Sequence, residues 1–188
     1  LKGIQLIVNE GNTDSLRSVE AISKLGVGKN MVRSIHHWLR AFGLVNENGK
    51  STEFSDLMFI REKLDPFLEN EGSLWLLQYN LCKGQYASIF YLIFTEYFSD
   101  KASLDFSESQ IQKFISKAVK ANDQKPVATK TLENDFNVFI RSYVAPLKNQ
   151  QTVEDDFNVP LIPLNLISNT GRKNENGEAI YRINKIDH

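Results

Sequence analysis

The chain has a single cysteine, Cys82, so no disulfide can form within it and the stapled scaffolds of small secreted proteins are excluded. Its N-terminus lacks the basic patch, apolar core and small-residue cleavage site of a secretory leader, and the expected compartment is the cytoplasm. Long apolar runs are missing too. The most apolar stretch, 87–98, is interrupted by Thr95 and Glu96 and falls short of the roughly 20 residues that a membrane-spanning helix needs, so it reads as a buried helix and no membrane partner is expected. There is no glycine-rich phosphate loop followed by Lys-Ser/Thr, no Gly-x-Ser-x-Gly elbow, no His-Glu-x-x-His and no cysteine pair. No catalytic residue, cofactor or metal is therefore assigned. His36 and His37 are adjacent, point about 100° apart on a helix, and have no second Cys/His cluster to complete a metal site. An initiator methionine is absent at Leu1 and no helix or cap closes the chain at His188, the pattern expected of a piece of a longer protein.

What is present suits a globular fold. Of the 188 residues, 41% are hydrophobic and 24% charged, enough for one sizeable core or two small ones, and disorder is not the default. Net charge is −1, which by itself argues against nucleic acid, but the charge is unevenly spread. Residues 1–50 carry seven Lys/Arg against four Asp/Glu, a balance of +3 that leaves −4 on the rest. Between Lys24 and Arg40 stand four basic side chains and no acidic one. A local patch is sufficient for phosphate contact.

That patch coincides with a helix-turn-helix pattern over 18–45. The apolar opening, 1–8, is a candidate first helix, and Gly11-Asn12-Thr13-Asp14 a turn. Leu16, Val19, Ile22 and Leu25 then give a short helix stopped by Gly26. A second helix is expected over 28–42, with Gly43 as its left-handed cap. Val32, Ile35, Leu39 and Phe42 form its apolar stripe, while Asn30, Arg33 and His37 fall opposite, with Lys29 and Arg40 on the flank. Asn pairs bidentately with adenine and Arg with guanine, and Lys29 at a helix start suits a phosphate. Asn48-Gly49 lies between strand-like segments, where both residues tolerate positive φ, and marks a hairpin. A hairpin directly after the second helix is a wing, so the expectation for 1–54 is a winged helix-turn-helix binding double-stranded DNA through Lys24, Lys29, Asn30, Arg33, His37, Arg40 and Lys50.

From Ser55 the pattern is helical again, with Leu57, Ile60 and Leu64 on one face after a serine cap and a restart at Asp65-Pro66. An apolar helix carries Trp75 and Tyr79 and closes at Lys83-Gly84; the next brings Phe90, Ile93, Phe94 and Tyr97 together, with Tyr86, Tyr91 and Phe98 nearby. An aromatic platform for single-stranded bases needs exposed rings beside basic residues. From Tyr86 to Phe98 there is no Lys or Arg, and the segment reads as core.

Beyond 104, Ser107 and Gln110 make a capping box opening a helix with Ile111, Phe114, Ile115, Ala118 and Val119 on one stripe. After a loop at 122–128 comes a second helix with Leu132, Phe136, Phe139, Ile140 and Tyr143, ended by Pro146. An acidic run, Glu154, Asp155 and Asp156, precedes strand-like segments at 164–167 and 179–183. Arg172, Lys173, Arg182 and Lys185 make this hairpin basic. Two helices and a hairpin repeat the earlier layout and allow a second winged-helix-like unit, although no sequence repeat demands it. The reading is thus mainly α with small β hairpins, an α+β chain in three parts: 1–54, an aromatic-rich helical region at 55–104, and a helical pair plus hairpin at 105–188, truncated at its C-terminus.

The segment LGVGKNMVRSIHHWLRAFGLV at 25–45 resembles the most characteristic block of the bacterial domain of unknown function 4007. EGSLWLLQYNL at 71–81, TLENDFNVFIRSYV at 131–144 and DDFNVPLIPLNLI at 155–167 resemble its later blocks in the same order. The family's usual opening block and C-terminal continuation are missing. The resemblance brings no catalytic residues. It implies a setting beside phosphoadenosine-phosphosulfate-reductase-like proteins in DNA phosphorothioation and related phage-defence clusters. The leading expectation is a DNA-binding accessory protein. The alternatives are an adaptor that docks the sulfur-transfer partner without touching DNA, and a magnesium-dependent nuclease drawing on Asp155, Asp156, Glu62 and Lys63.

Overall fold

Short helices joined by tight turns build the first part of the chain, because its apolar stripes are only two to four turns long and glycines with positive φ, Gly26 and Gly43, stand at their ends. The computed structural model describes residues 2–11, 16, 19–99, 101–145 and 161–185. They belong to two compact units, Leu1–Ala87 and Ser88–His188. Among the described residues the chain is α-rich with one small three-stranded antiparallel sheet, and no helix is long and apolar enough to cross a membrane.

In the first unit, α1 (Lys2–Glu10) and α2 (Val19–Leu25) both pack on α3 (Lys29–Ala41). The expected opening helix is therefore present, with Ile4, Leu6 and Ile7 buried. Gly3 sets the approach of α1 to α3: a Cβ built there would lie 2.7 Å from Cγ2 of Ile35 and 3.4 Å from Cδ1 of Leu39. A side chain at that position would push apart two members of the α3 stripe, whose other members, Val32 and Phe42, are buried. The expected turn at 12–14 lies outside the described residues.

After Gly43 the chain forms a hairpin with a single bridge, Val45 to Ser51. Its turn corrects the sequence expectation. Only Gly49, not Asn48, has positive φ, the N-H of Gly49 donates to the carbonyl of Asn46 at 3.0 Å, and the N-H of Asn46 donates to Lys50 at 2.9 Å. This is a three-residue loop with glycine in the left-handed position. The Asn46 side chain holds it, accepting from the N-H groups of Asn48 and Lys50, each at 3.0 Å.

Thr52, not Ser55, caps the following helix: its hydroxyl oxygen accepts from the N-H of Ser55 at 3.2 Å. That helix, α4 (Glu53–Ser55), runs on as a π-helical turn, Asp56–Ile60, and stops. Leu64 is consequently off the expected face and 68% exposed. Nor does a helix restart at Pro66. Asp65 instead turns the chain, its carboxylate accepting from the N-H groups of Glu69 and Asn70 at 2.9 and 3.0 Å. Asn70 then caps α5 (Glu71–Lys83), which buries Leu74, Leu77 and Leu81.

In the second unit, α6 (Ser88–Tyr91) continues as a π-helical segment, Leu92–Tyr97. Then follow β1 (Asp105–Phe106), α7 (Glu108–Ala121), α8 (Thr129–Arg141), β2 (Ile167–Lys173) and β3 (Ala179–Ile183). The core is a ring cluster. Phe90 and Phe94 pack on Phe139 and Tyr143, while Phe106 and Phe136 pack on each other and on Tyr181, with centroid separations of 5.3–6.4 Å. The aromatic segment after Tyr86 contributes Phe90, Ile93 and Tyr97 to the core, as its lack of Lys and Arg implies.

Sequence reading missed β1 and misplaced β2. The sheet order is β1-β3-β2, with Phe106 opposite Tyr181 and Asn169 opposite Tyr181 on the other side. Residues 164–166 precede β2, which extends through Arg172 and Lys173 into what looks like a polar loop. Short polar strands such as these form because β3 supplies paired backbone groups on both of its edges. Pro146, Glu154, Asp155, Asp156 and Pro160 lie outside the described residues.

Candidate nucleic-acid interface

Helix α3 is positioned by its apolar stripe, and that determines what its opposite face presents. Lys29, Asn30, Arg33 and His37 are exposed on it, and Arg40 is half-buried. Gly28 is the N-cap and no side chain closes the first turn, so the helix start keeps N-H groups beside Lys29. The hairpin is fixed to the other end. Leu44 N-H donates to Leu39 at 2.9 Å and the Thr52 hydroxyl to the Gly43 carbonyl at 2.8 Å, leaving Lys50 exposed beyond the turn.

Lys24 differs from the others. It is paired with Glu10 of α1, a carboxylate 14 residues away, whose hydrogen bond is the main cause that raises the lysine above its ordinary range. The run of bases without acids is real in sequence, but the fold lends one of them an acid.

The structure also adds a residue that sequence reasoning assigned to the core. Tyr86, just beyond α5, is 41% exposed; the Arg40 guanidinium lies 4.4 Å from its ring centroid and the His37 ring 5.2 Å. His37 also meets Trp38 edge-on at 5.6 Å, and Trp38 stacks on Phe42. On α5 itself Tyr79 is 58% exposed with the Lys83 ammonium 5.5 Å from its centroid. The signal available in sequence was Lys83, four residues after Tyr79 and three before Tyr86; the approach of Arg40 is made by the fold.

In the second unit the four basic hairpin residues do not act alike. Arg182 meets Asp105 of β1 through two contacts, Nε to Oδ1 at 2.5 Å and Nη2 to Oδ2 at 3.0 Å, and Arg172 reaches the same carboxylate at 2.5 Å. The two guanidinium groups, Arg182 foremost, hold Asp105 below the usual carboxylate range. Lys173 and Lys185 are exposed. The turn between β2 and β3 is docked by Glu178, which accepts from the Ser109 hydroxyl at 2.7 Å, the Asn174 amide at 2.6 Å and the Ser107 hydroxyl at 3.1 Å at the start of α7. A carboxylate there is favoured by the helix dipole.

Glu62 and Lys63 are exposed in the segment after α4. Among the described residues no group of three or more His, Cys, Asp or Glu is arranged to hold a metal ion. Cys82 is a poor nucleophile in this setting, since burial pushes its thiol up to about 11.

A family model described as a protein of unknown function, DUF4007, matches residues 1–187. No curated protein sequence matches the chain significantly. Two solved structures are similar. One is described as an SspB crystal structure, with 22% identity, a TM-score of 0.75 and coverage of 100% of this chain and 57% of that one. The other, a magnesium-ion-bound SspB, has 22% identity, a TM-score of 0.74 and coverage of 100% and 58%. The shared property at this identity is the fold, and the chain spans less than two thirds of the length of these neighbours.

Proposed function

The chain belongs to the DUF4007 family of proteins of unknown function, and from that premise we propose that it is a DNA-binding accessory protein that acts on double-stranded DNA through α3. The observation that carries this reading is the exposed row Lys29, Asn30, Arg33 and His37 on a 13-residue helix, in a stretch from Ala21 to Asn46 with no acidic residue. Phosphates would be met by Lys29 and Arg40 and base edges by Asn30 and Arg33.

The order of three helices and a hairpin supports a winged-helix reading of the first unit. The order helix, strand, helix, helix, strand, strand, with β3 between β1 and β2, supports a second winged-helix-like unit in 88–188. The latter is the less basic of the two, since Arg172 and Arg182 are paired with Asp105. A place in DNA phosphorothioation or a related phage-defence system, beside a phosphoadenosine-phosphosulfate-reductase-like partner in the cytoplasm, is part of the same proposal.

A salt titration of duplex affinity, read by fluorescence anisotropy, tests it. Each phosphate contact contributes about 0.9 to the slope of log affinity against log salt. Replacing Lys29, Arg33 and Arg40 by alanine is expected to flatten that slope by about two, through Lys29 and Arg40. Binding without salt dependence, or an unchanged slope in the triple variant, overturns the assignment. The magnesium ion of the one SspB neighbour keeps the nuclease reading as the second; magnesium-dependent nicking lost in Asp155→Ala is the observation it requires.

A further inference from the structure

We infer that the end of α5 extends the α3 surface into a stacking platform for an unpaired base, formed by the rings of Tyr86 and Tyr79. The inference rests on the DNA-binding reading of α3 and names the kind of DNA that this surface favours.

Two rings in the first unit stand apart from the aromatic core of the second. Phe90, Phe106 and Phe139 are fully buried, whereas Tyr86 and Tyr79 are 41% and 58% exposed. Each of these two tyrosine rings has a cation against it, Arg40 at 4.4 Å and Lys83 at 5.5 Å. A cation over one face of a ring is attracted by the ring quadrupole, so a base would stack on the opposite face while the cation stays within reach of its phosphate. The two helix ends are neighbours: a Cβ built on Gly43, just past α3, would lie 3.6 Å from the side chain of Asn80, which is adjacent to Tyr79 in α5.

Charge selects the partner. No acidic residue occurs from Ala21 to Asn46 or from Gly72 to Ala87, so both segments that meet here are free of carboxylates while carrying Lys29, Arg33, Arg40 and Lys83. Flat rings interleaved with cations fit a polyanion whose monomers are flat. In an intact duplex the bases are already stacked on one another, so the tyrosines gain a partner only where a base is unpaired, at a gap, an end or an extruded position. Base-on-aromatic stacking is tolerant of sequence because every base has a π face.

The experiment uses the full chain and two labelled duplexes, one intact and one with a one-nucleotide gap that leaves a 2-aminopurine unpaired in the continuous strand. The wild type is expected to bind the gapped duplex about tenfold more tightly than the intact one, a factor within the usual worth of one stacked base, and to quench the 2-aminopurine. Tyr86→Leu is expected to lose the preference and the quenching, and Tyr86→Phe to keep both. Tyr79→Leu is the second variant, with circular dichroism to check that each folds. Intact-duplex binding with no gap preference and no quenching in the wild type overturns the stacking platform, leaves the DNA-binding reading standing and assigns the rings to a protein contact. Leucine variants that quench as the wild type does also overturn it. Failure to bind either duplex overturns the DNA-binding reading and this inference together.

Discussion

Ser55 is completely buried, and its hydroxyl oxygen has no hydrogen-bond partner among the described residues. A buried hydroxyl left unpaired has given up its water without a return, whereas an alanine methyl at the same position loses nothing. Ser55→Ala is therefore expected to stabilise the protein by about 1 kcal/mol, an increase of roughly 2–4 °C in the thermal midpoint for a chain of this size. A lower midpoint would mean that the hydroxyl has a partner in solution. This site is also where the serine expected to cap α4 turned out to be inside it, with Thr52 one turn earlier taking the capping bond. Either hydroxyl is a competent cap by chemistry. The choice follows from the hairpin, which ends by tying the Thr52 hydroxyl to the Gly43 carbonyl and so starts the helix at Glu53.

At the scale of elements, one turn is used twice. Asn46-Glu47-Asn48-Gly49 and Asn174-Glu175-Asn176-Gly177 have the same four residues in the same order. Each places the glycine at positive φ, at 72° and 79°, and each uses its first asparagine to accept from two backbone N-H groups. The repeat was in view in the sequence, and its significance became readable only from the matching bonds. The next residue separates the two roles. Lys50 remains exposed on the first hairpin, while Glu178 latches the second to α7. Hydrogen bonds, that from Ser109 foremost, lower the Glu178 carboxyl below its ordinary range. Its contribution is thus present above the unfolded value of about 4.3 and lost as pH falls through the lower folded value. Glu178→Gln is expected to cost about 1 kcal/mol at pH 7, measured by denaturant unfolding. The gap between variant and wild type should close as the pH is taken below 4. A gap independent of pH would show that the carboxylate charge is not what holds the latch.

At the scale of the molecule, the second unit has its own core. Phe90, Phe106, Phe136, Phe139, Tyr143 and Tyr181 meet one another within it, and all three strands belong to it. A fragment of residues 88–188 is expected to give a near-ultraviolet circular dichroism signal from these rings and a cooperative melt. A signal-free, gradual melt would show that this core is incomplete alone. Both tryptophans, Trp38 and Trp75, lie in the first unit, so tryptophan fluorescence of the whole chain reports on that unit separately. The sequence by itself determined the helices α3, α5, α7 and α8 and the inward stripes of α3, α7 and α8. Apolar spacing and local caps such as the Ser107–Gln110 pair act over a few residues and need no distant partner. It likewise showed α3 as the basic helix. Only the tertiary structure decided that Lys24 is shared with Glu10, that Arg172 and Arg182 converge on Asp105 some seventy residues earlier, and that residues 105–106 are a strand. It also decided that Tyr86 faces outward beside Arg40. Each of these depends on groups far apart in the chain, and their meeting is set by how whole elements pack, which no local pattern encodes.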